Sequence, residues 1–268
     1  MADITIHGQT YTGVKTVKYV NGANTYDLEK LILNGNVVFE KVQDLPAKKA
    51  LSLMTWQDIS TVCKAGKANE YWNVGDTKDI TVNGSTYAVM IIGFDHDEPT
   101  DAASYGRSKA GITLQTVHVI SGSYKMCNTI PSTASWETAT LRTTLNDTII
   151  GTMDSDLTSV IVPVNKNCRE TAYGSDTYTT VSDKLFVLSS PECKKNQTTT
   201  DGTLYTYFDS NSAAKTDTGG GRQAYWTRTS GFNTQSNKVT FSRVMTGGSI
   251  NIYESPTRDN MVAFAFCV

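Results

Sequence analysis

Residues 247–268 read GGSINIYESPTRDNMVAFAFCV. The stretch opens on a glycine pair, crosses a polar run and closes on an apolar one. Side chains alternate across a strand, so Ile250 and Ile252 are predicted on one face and Ser249, Asn251 and Tyr253 on the other. In residues 261–268, Val262, Phe264, Phe266 and Val268 fall on one face and small residues on the other. Both faces are therefore predicted buried, which places this strand inside a sheet. A strand so anchored leaves the polar residues before it free to form a display surface. Upstream, KVTFSRV (238–244) completes a hairpin around Gly247-Gly248.

Working outward, YWTRTS (225–230) holds Trp226, read as an apolar anchor, and Arg228, read as its charge-paired neighbour. Residues 194–224 are polar and Gly-rich, which predicts a long functional or mobile loop. KLFVLS (184–189) reads as a short buried strand, and DSDLTSVIVPVNK (154–166) as a short helix with an extended exit. In residues 132–153, Leu141, Leu145 and Ile149 recur at helical spacing, with Ser135 as the predicted cap. ITLQTVHVI (112–120) reads as one strand. KDITVNGSTYAVMIIGFD (78–95) reads as a hairpin at Asn83-Gly84, because both residues tolerate positive φ. Thr55 is predicted to cap a core-packed helix through Trp56, Ile59, Val62 and Cys63.

The first residues form a separate pattern. Val14, Val17 and Val20 lie in a strand-like run ending at Asn21-Gly22, and Asn34-Gly35 lies between β-formers as a hairpin turn, predicting a small β module over 1–43. Residues 44–68 are then linker and helix, and 69–268 the main domain. The fold class expected is α+β.

The formal charge of −2 supplies no basic field, so nucleic-acid binding is not expected. No apolar run reaches the roughly 18 residues a membrane helix needs, so no membrane insertion is expected. MADITIHGQ lacks the pattern of a signal peptide, which predicts synthesis in the cytoplasm. Five widely spaced cysteines predict buried reduced thiols rather than disulfides or zinc.

Candidate chemistry is sparse. Asp95–Glu98 (DHDE) offers metal-type ligands, but consecutive loop residues diverge, and a polar loop is the favoured reading. His118 lies in a predicted strand with no nucleophile elbow nearby. TGGGRQ (218–223) lacks the Lys-Ser/Thr of a phosphate loop. No metal or cofactor is expected. What remains is a patch of Phe232, Asn233, Gln235, Asn237, Ser249, Asn251, Tyr253, Glu254, Thr257, Arg258 and Asn260. It mixes aromatics, amides, hydroxyls and both charges, the palette of antibody loops.

The ordered set GSTYAVMIIGFDHDE, KAGITLQTV, SWETATLRTTLN, DLTSVIVPVNK, DKLFVLS, YWTRTS and VAFAFCV resembles a family of domains of uncharacterised function, the DUF6273 group, frequent in gut Firmicutes and their prophages. The resemblance spans roughly residues 69–268. That family is similar to the variable proteins of diversity-generating retroelements, which implies a C-type lectin-like fold of the variety seen in formylglycine-generating enzymes. It implies an invariant frame of Trp226, Arg228, FSRV (241–244), Gly248 and VAFAFCV. The rewritten positions would be the polar patch. WTRTS departs from the more usual W-x-R-S-P by lacking the proline. The first forty residues resemble small β modules that begin phage tail and baseplate proteins, implying attachment or a homotrimer on a virion tail.

The implied function is a non-catalytic receptor-binding protein of a phage or prophage tail, with a host-surface protein or glycan and other tail proteins as partners. The alternatives are a metal- or thiol-dependent enzyme of the formylglycine-generating type and a structural tail or decoration protein. The Glu-Pro-Asn, Gln-Pro-Asp and Trp-Asn-Asp signatures of calcium-dependent lectins do not occur.

Overall fold

The computed structural model describes residues 45–268 except 174, and the strand backbones within the first 44 residues. The chain divides into two compact units, Met1–Pro46 and Ala47–Val268. In the first, β1 (Ala2–Ile6) pairs β2 (Gln9–Val14), β3 (Val17–Asn21) pairs β4 (Asn24–Leu28), and β5 (Lys30–Leu33) pairs β6 (Asn36–Glu40), all antiparallel. The turn expected at Asn34-Gly35 lies outside the described residues.

The second unit begins with Leu51 and Met54 buried and α1 (Trp56–Lys64) following. Thr55 caps α1 by accepting a hydrogen bond from the Asp58 N–H at 3.1 Å, satisfying one orphan donor of the first turn. Trp56, Ile59, Val62 and Cys63 form its buried stripe. Short helix α2 (Ala68–Tyr71) leads into the hairpin β7 (Thr77–Val82) and β8 (Ser85–Phe94). At its turn Asn83 and Gly84 both have positive φ, +50° and +73°, as the sequence predicts. Next come β9 (Glu98–Pro99), α3 (Ala102–Tyr105), β10 (Ile112–Thr116) and β11 (Ile120–Lys125). The single strand expected over 112–120 is thus two strands, and they join different sheets.

β12 (Ala134–Ser135) precedes α4 (Thr140–Thr143). The helix therefore starts later than the Ser135 cap predicts. Ser135 pairs with Glu170 across strands, and Trp136 is buried with its Nε1 donating to Asp183 at 2.7 Å. Those tertiary contacts hold Ser135 in a strand and keep Trp136 out of the helix. The helix continues with a wider π pitch over Thr144–Ile149. Then follow α5 (Ser155–Thr158), β13 (Val164–Ala172), β14 (Ser175–Asp183), β15 (Phe186–Val187) and α6 (Ser190–Cys193).

The region 194–224 is not wholly a solvated loop. Asp201, Tyr205, Phe208, Ala213 and Lys215 are buried, and β16 (Lys215–Thr216) pairs β17 (Arg222–Gln223). The chain closes with β18 (Tyr225–Asn233), β19 (Lys238–Val244), β20 (Ile250–Glu254), β21 (Asp259–Val262) and β22 (Phe264–Cys267).

The architecture is mixed α+β, mostly β. One five-stranded sheet has the order β15-β22-β10-β8-β7, and another β11-β21-β18-β19-β20; β9, β12, β13 and β14 form a third. β22 is interior to its sheet and every residue from Val262 to Val268 is buried. The expected single strand 261–268 is divided at Ala263, so the chain passes from one sheet to the other. Phe266 meets Trp56 edge-on, ring centroids 6.1 Å apart. Gly111 permits the close approach of α1, because a Cβ there would lie 2.7 Å from the Cys63 Cα.

Candidate functional site

β18 is buried from Tyr225 to Gly231, although its sequence is largely polar. The reason is a dense set of internal partners. Trp226 donates from Nε1 to the Tyr124 carbonyl at 2.7 Å. Arg228 is wholly buried and grips Glu192 with both terminal nitrogens, Nη2 to Oε1 at 2.7 Å. It also donates to the carbonyls of Val187 and Asp201. The expected charge partner of Arg228 is therefore Glu192. That carboxylate sits in the first turn of α6 and accepts from the Ser189 N–H at 2.9 Å.

The pairing extends further. Lys166 bridges Glu192 and Asp97, 2.7 Å from each. Asp97 also accepts from Thr113 at 2.6 Å and from the Tyr205 hydroxyl at 2.8 Å. Burial alone would raise the Glu192 carboxyl, but Arg228 and Lys166 overcome it and bring it down to about 2. Burial likewise opposes ionisation of Asp97, yet Lys166 and His96 hold it well below the usual carboxylate range. Two acids and two bases thus form a neutral buried cluster joining the 95–98 loop, β13, α6 and β18. The favoured reading of DHDE as a polar loop misses this. A usable signal lies in β13, where Val164, Lys166 and Cys168 alternate inward; an inward lysine demands a buried acid. Every carboxylate of that loop has its own cation: Asp95 with Arg107, Asp97 with Lys166, Glu98 with Lys109. Among the described residues no His, Cys, Asp and Glu group is arranged to hold a metal.

The sequence-predicted patch divides in three. Gln235, Asn237, Ser249, Tyr253 and Arg258 are exposed, Tyr253 by 56% and the Arg258 side chain by 60%. Phe232, Asn233, Asn251 and Thr257 are half-buried. Asn233 shapes the β18–β19 turn by accepting from the N–H groups of Gln235 and Ser236. Asn237 in that turn has φ +51°. Glu254 and Asn260, expected on the surface, are buried instead. Arg243 is the cause: it pairs with Glu254 at 2.8 Å and donates to Asn260 Oδ1 at 2.9 Å. Ile252, expected inward, is 44% exposed. It lies on an edge strand whose register breaks between Phe241 and Arg243, and such a bulge re-aims side chains.

Beside this face lies a cleft of about 420 Å³. Its walls come from Arg169 and Ala172 of β13, Ser175 and Asp176 of β14, and Thr229–Phe232 of β18, with Ile252 and Tyr253 at the β20 side. Tyr173, 75% exposed, packs edge-on against Phe232 with centroids 5.3 Å apart. A second polar cleft of about 480 Å³ lies over the charge cluster, and Gln197 and Thr199 line both.

The five thiols are buried and unpaired. Burial raises every one of them, Cys168 and Cys193 to about 12. Reactive thiols need the opposite shift. His118 hydrogen-bonds Thr216 Oγ1 at 2.9 Å, a packed histidine as expected.

Residues 112–268, more than half of the chain, match the family described as Domain of unknown function (DUF6273). The chain belongs to this family. The DUF6273 match begins at β10 and takes in Lys166, Glu192, Arg228, the whole C-terminal face and the lining of the 420 Å³ cleft. Asp97 precedes it. No curated protein and no solved structure matches the chain significantly.

Proposed function

We propose that this protein is a non-catalytic binding protein, the receptor-binding component of a phage or prophage tail. It displays its C-terminal face on a C-type lectin-like scaffold of the formylglycine-generating-enzyme variety. One observation carries the reading: exposed recognition-type side chains lie on and just after β20, the edge of the sheet that contains the buried β18. Tyr253 and Arg258 reach solvent, while Trp226, Arg228, Phe264 and Phe266, nearby in sequence, have no exposed surface. A face so mounted accepts substitution without loss of fold, which is what a diversified surface requires. Tyr253 and Arg258 are the anchors, since a few aromatic and Arg residues dominate most interfaces. The exposed Tyr173 beside Phe232 enlarges the aromatic patch. A trimer displaying three such faces on a tail would add avidity.

Its partners are a host-surface protein or glycan and neighbouring tail proteins. The Tyr253→Ala/Arg258→Ala double variant is expected to abolish adhesion to host cells with Tm unchanged within about 2 °C, as surface changes cost little stability. Retained adhesion overturns the reading, and so does a collapse in Tm, which would mean that the pair is structural. Sequencing the DNA downstream tests the diversification separately. A near-copy of the last coding segment, differing only at adenines beside a reverse transcriptase, is the expected finding.

A further inference from the structure

The cleft beside Tyr253 contains buried polar atoms with no partner. Ser242 is fully buried, lines the cleft, and its Oγ makes no hydrogen bond. Thr199 and Arg169 line the same cleft, and Thr199 Oγ1 and Arg169 Nε are likewise without a partner. Buried polar groups in folded proteins nearly always have partners. Three of the unpartnered buried atoms among the described residues belong to side chains that line this one concavity.

We propose that this cleft is a subsite for one neutral sugar residue of a glycan, and the proposal rests on the C-terminal face being a binding surface. Charge decides against an anion: Arg169 is already paired with Asp176 and donates from Nη1 to the Ser230 carbonyl at 2.9 Å. The pair instead offers a donor and an acceptor side by side, which suits vicinal hydroxyls. Ser242 and Thr199 carry hydroxyls that both donate and accept, as do those of a sugar. Phe232 and Tyr253 contribute apolar ring surface to the cleft, as the C–H face of a pyranose requires. The volume of about 420 Å³ lies in the range of small-ligand sites, roughly 300–1,000 Å³. Ser242, Thr199 and Arg169 lie outside the sequence-predicted patch, whereas Phe232 and Tyr253 belong to it. Floor residues therefore set the ligand class, and patch residues select among sugars.

The test uses the full chain and methyl glycosides of glucose, galactose, mannose, N-acetylglucosamine and N-acetylgalactosamine. Saturation-transfer NMR is expected to detect binding of at least one. Ser242→Ala and Thr199→Val remove only a hydroxyl function each. Together they should weaken that glycoside at least tenfold with Tm unchanged; if the pair does not fold, each single variant should weaken it measurably. Absence of transfer from all five glycosides overturns the subsite, as does binding that the variants leave untouched, or binding only of a charged methyl glucuronide. Host-cell adhesion separates the two levels. Adhesion that is lost in Tyr253→Ala/Arg258→Ala, with no glycoside bound, removes the sugar subsite and leaves the receptor-binding reading standing. Adhesion unaffected by Tyr253→Ala/Arg258→Ala removes the reading beneath it.

Discussion

Trp226 and Arg228 lie two residues apart on β18 and hold it by different physics. Trp226 fills core volume, and Trp226→Ala is expected to cost about 3–5 kcal/mol, from lost burial and the remaining cavity. Urea denaturation would measure it. Arg228 depends on its counter-charge. Glu192→Gln leaves Arg228 and Lys166 with one carboxylate too few, and removing one partner of a buried pair costs about 3–5 kcal/mol. Lys215 is a separate case. It is buried and donates only to the carbonyls of Thr116 and Val117. Burial lowers it from 10.5 to about 7. Between those values the unfolded chain holds the proton and the native chain does not, so stability rises with pH. Tm is expected to climb from pH 7 toward pH 9, the ordinary thiol value. The Lys215→Met variant should flatten that slope; an unchanged slope would assign the effect to another group.

At the scale of elements, the β19–β20 hairpin shows how an edge strand is fixed at one end. Gly248 sits in its turn with φ +85°, and a Cβ there would lie 2.4 Å from Ser212 Oγ and 3.1 Å from the Ala214 backbone nitrogen. Two constraints act together, a left-handed backbone and a wall of neighbouring chain. Gly248→Ala is expected to destabilise by at least about 1 kcal/mol, measured by thermal denaturation. It should also disturb the position of Tyr253, five residues along. The glycine pair that marks the hairpin was legible in the sequence because a turn is a local event. The outward aim of Ile252 was not legible, because it follows from an edge position and a register break against β19. The late start of α4 has the same character: Ser135 has the chemistry of a cap, but its pairing with Glu170 claims it for a sheet.

For the whole molecule, the charge cluster predicts acid lability of a particular form. Glu192 and Asp97 titrate lower in the native state than in the unfolded chain, whose ordinary values are 4.5 and 3.8. The unfolded chain therefore binds more protons on the way down. The stability they contribute is complete above about pH 4.5 and is lost as pH falls toward 2. Circular dichroism against pH should show the second unit unfolding in that window, and Glu192→Gln should move its midpoint upward. The division at Pro46–Ala47 predicts that residues 47–268 fold alone with a cooperative melt, since the unit contains its own core. A non-cooperative melt of that fragment would show that it needs the first 46 residues.

The sequence by itself determined the local facts: hairpins at Asn83-Gly84 and Gly247-Gly248, the capped helix after Thr55, burial of the final strand, and a polar patch just before it. Each rests on a turn dihedral or a repeat period, which neighbouring residues specify. Only the tertiary structure decided which sheet each strand joins, why 112–120 and 261–268 each divide, and which patch residues reach solvent. Glu254 and Asn260 look like Arg258 in the sequence. They are buried beside Arg243, brought alongside by strand pairing, which pairs with the Glu254 carboxylate and donates to Asn260 Oδ1. Likewise Asp97, Lys166, Glu192 and Arg228 are far apart in the chain, and their pairing energy exists only once four elements meet.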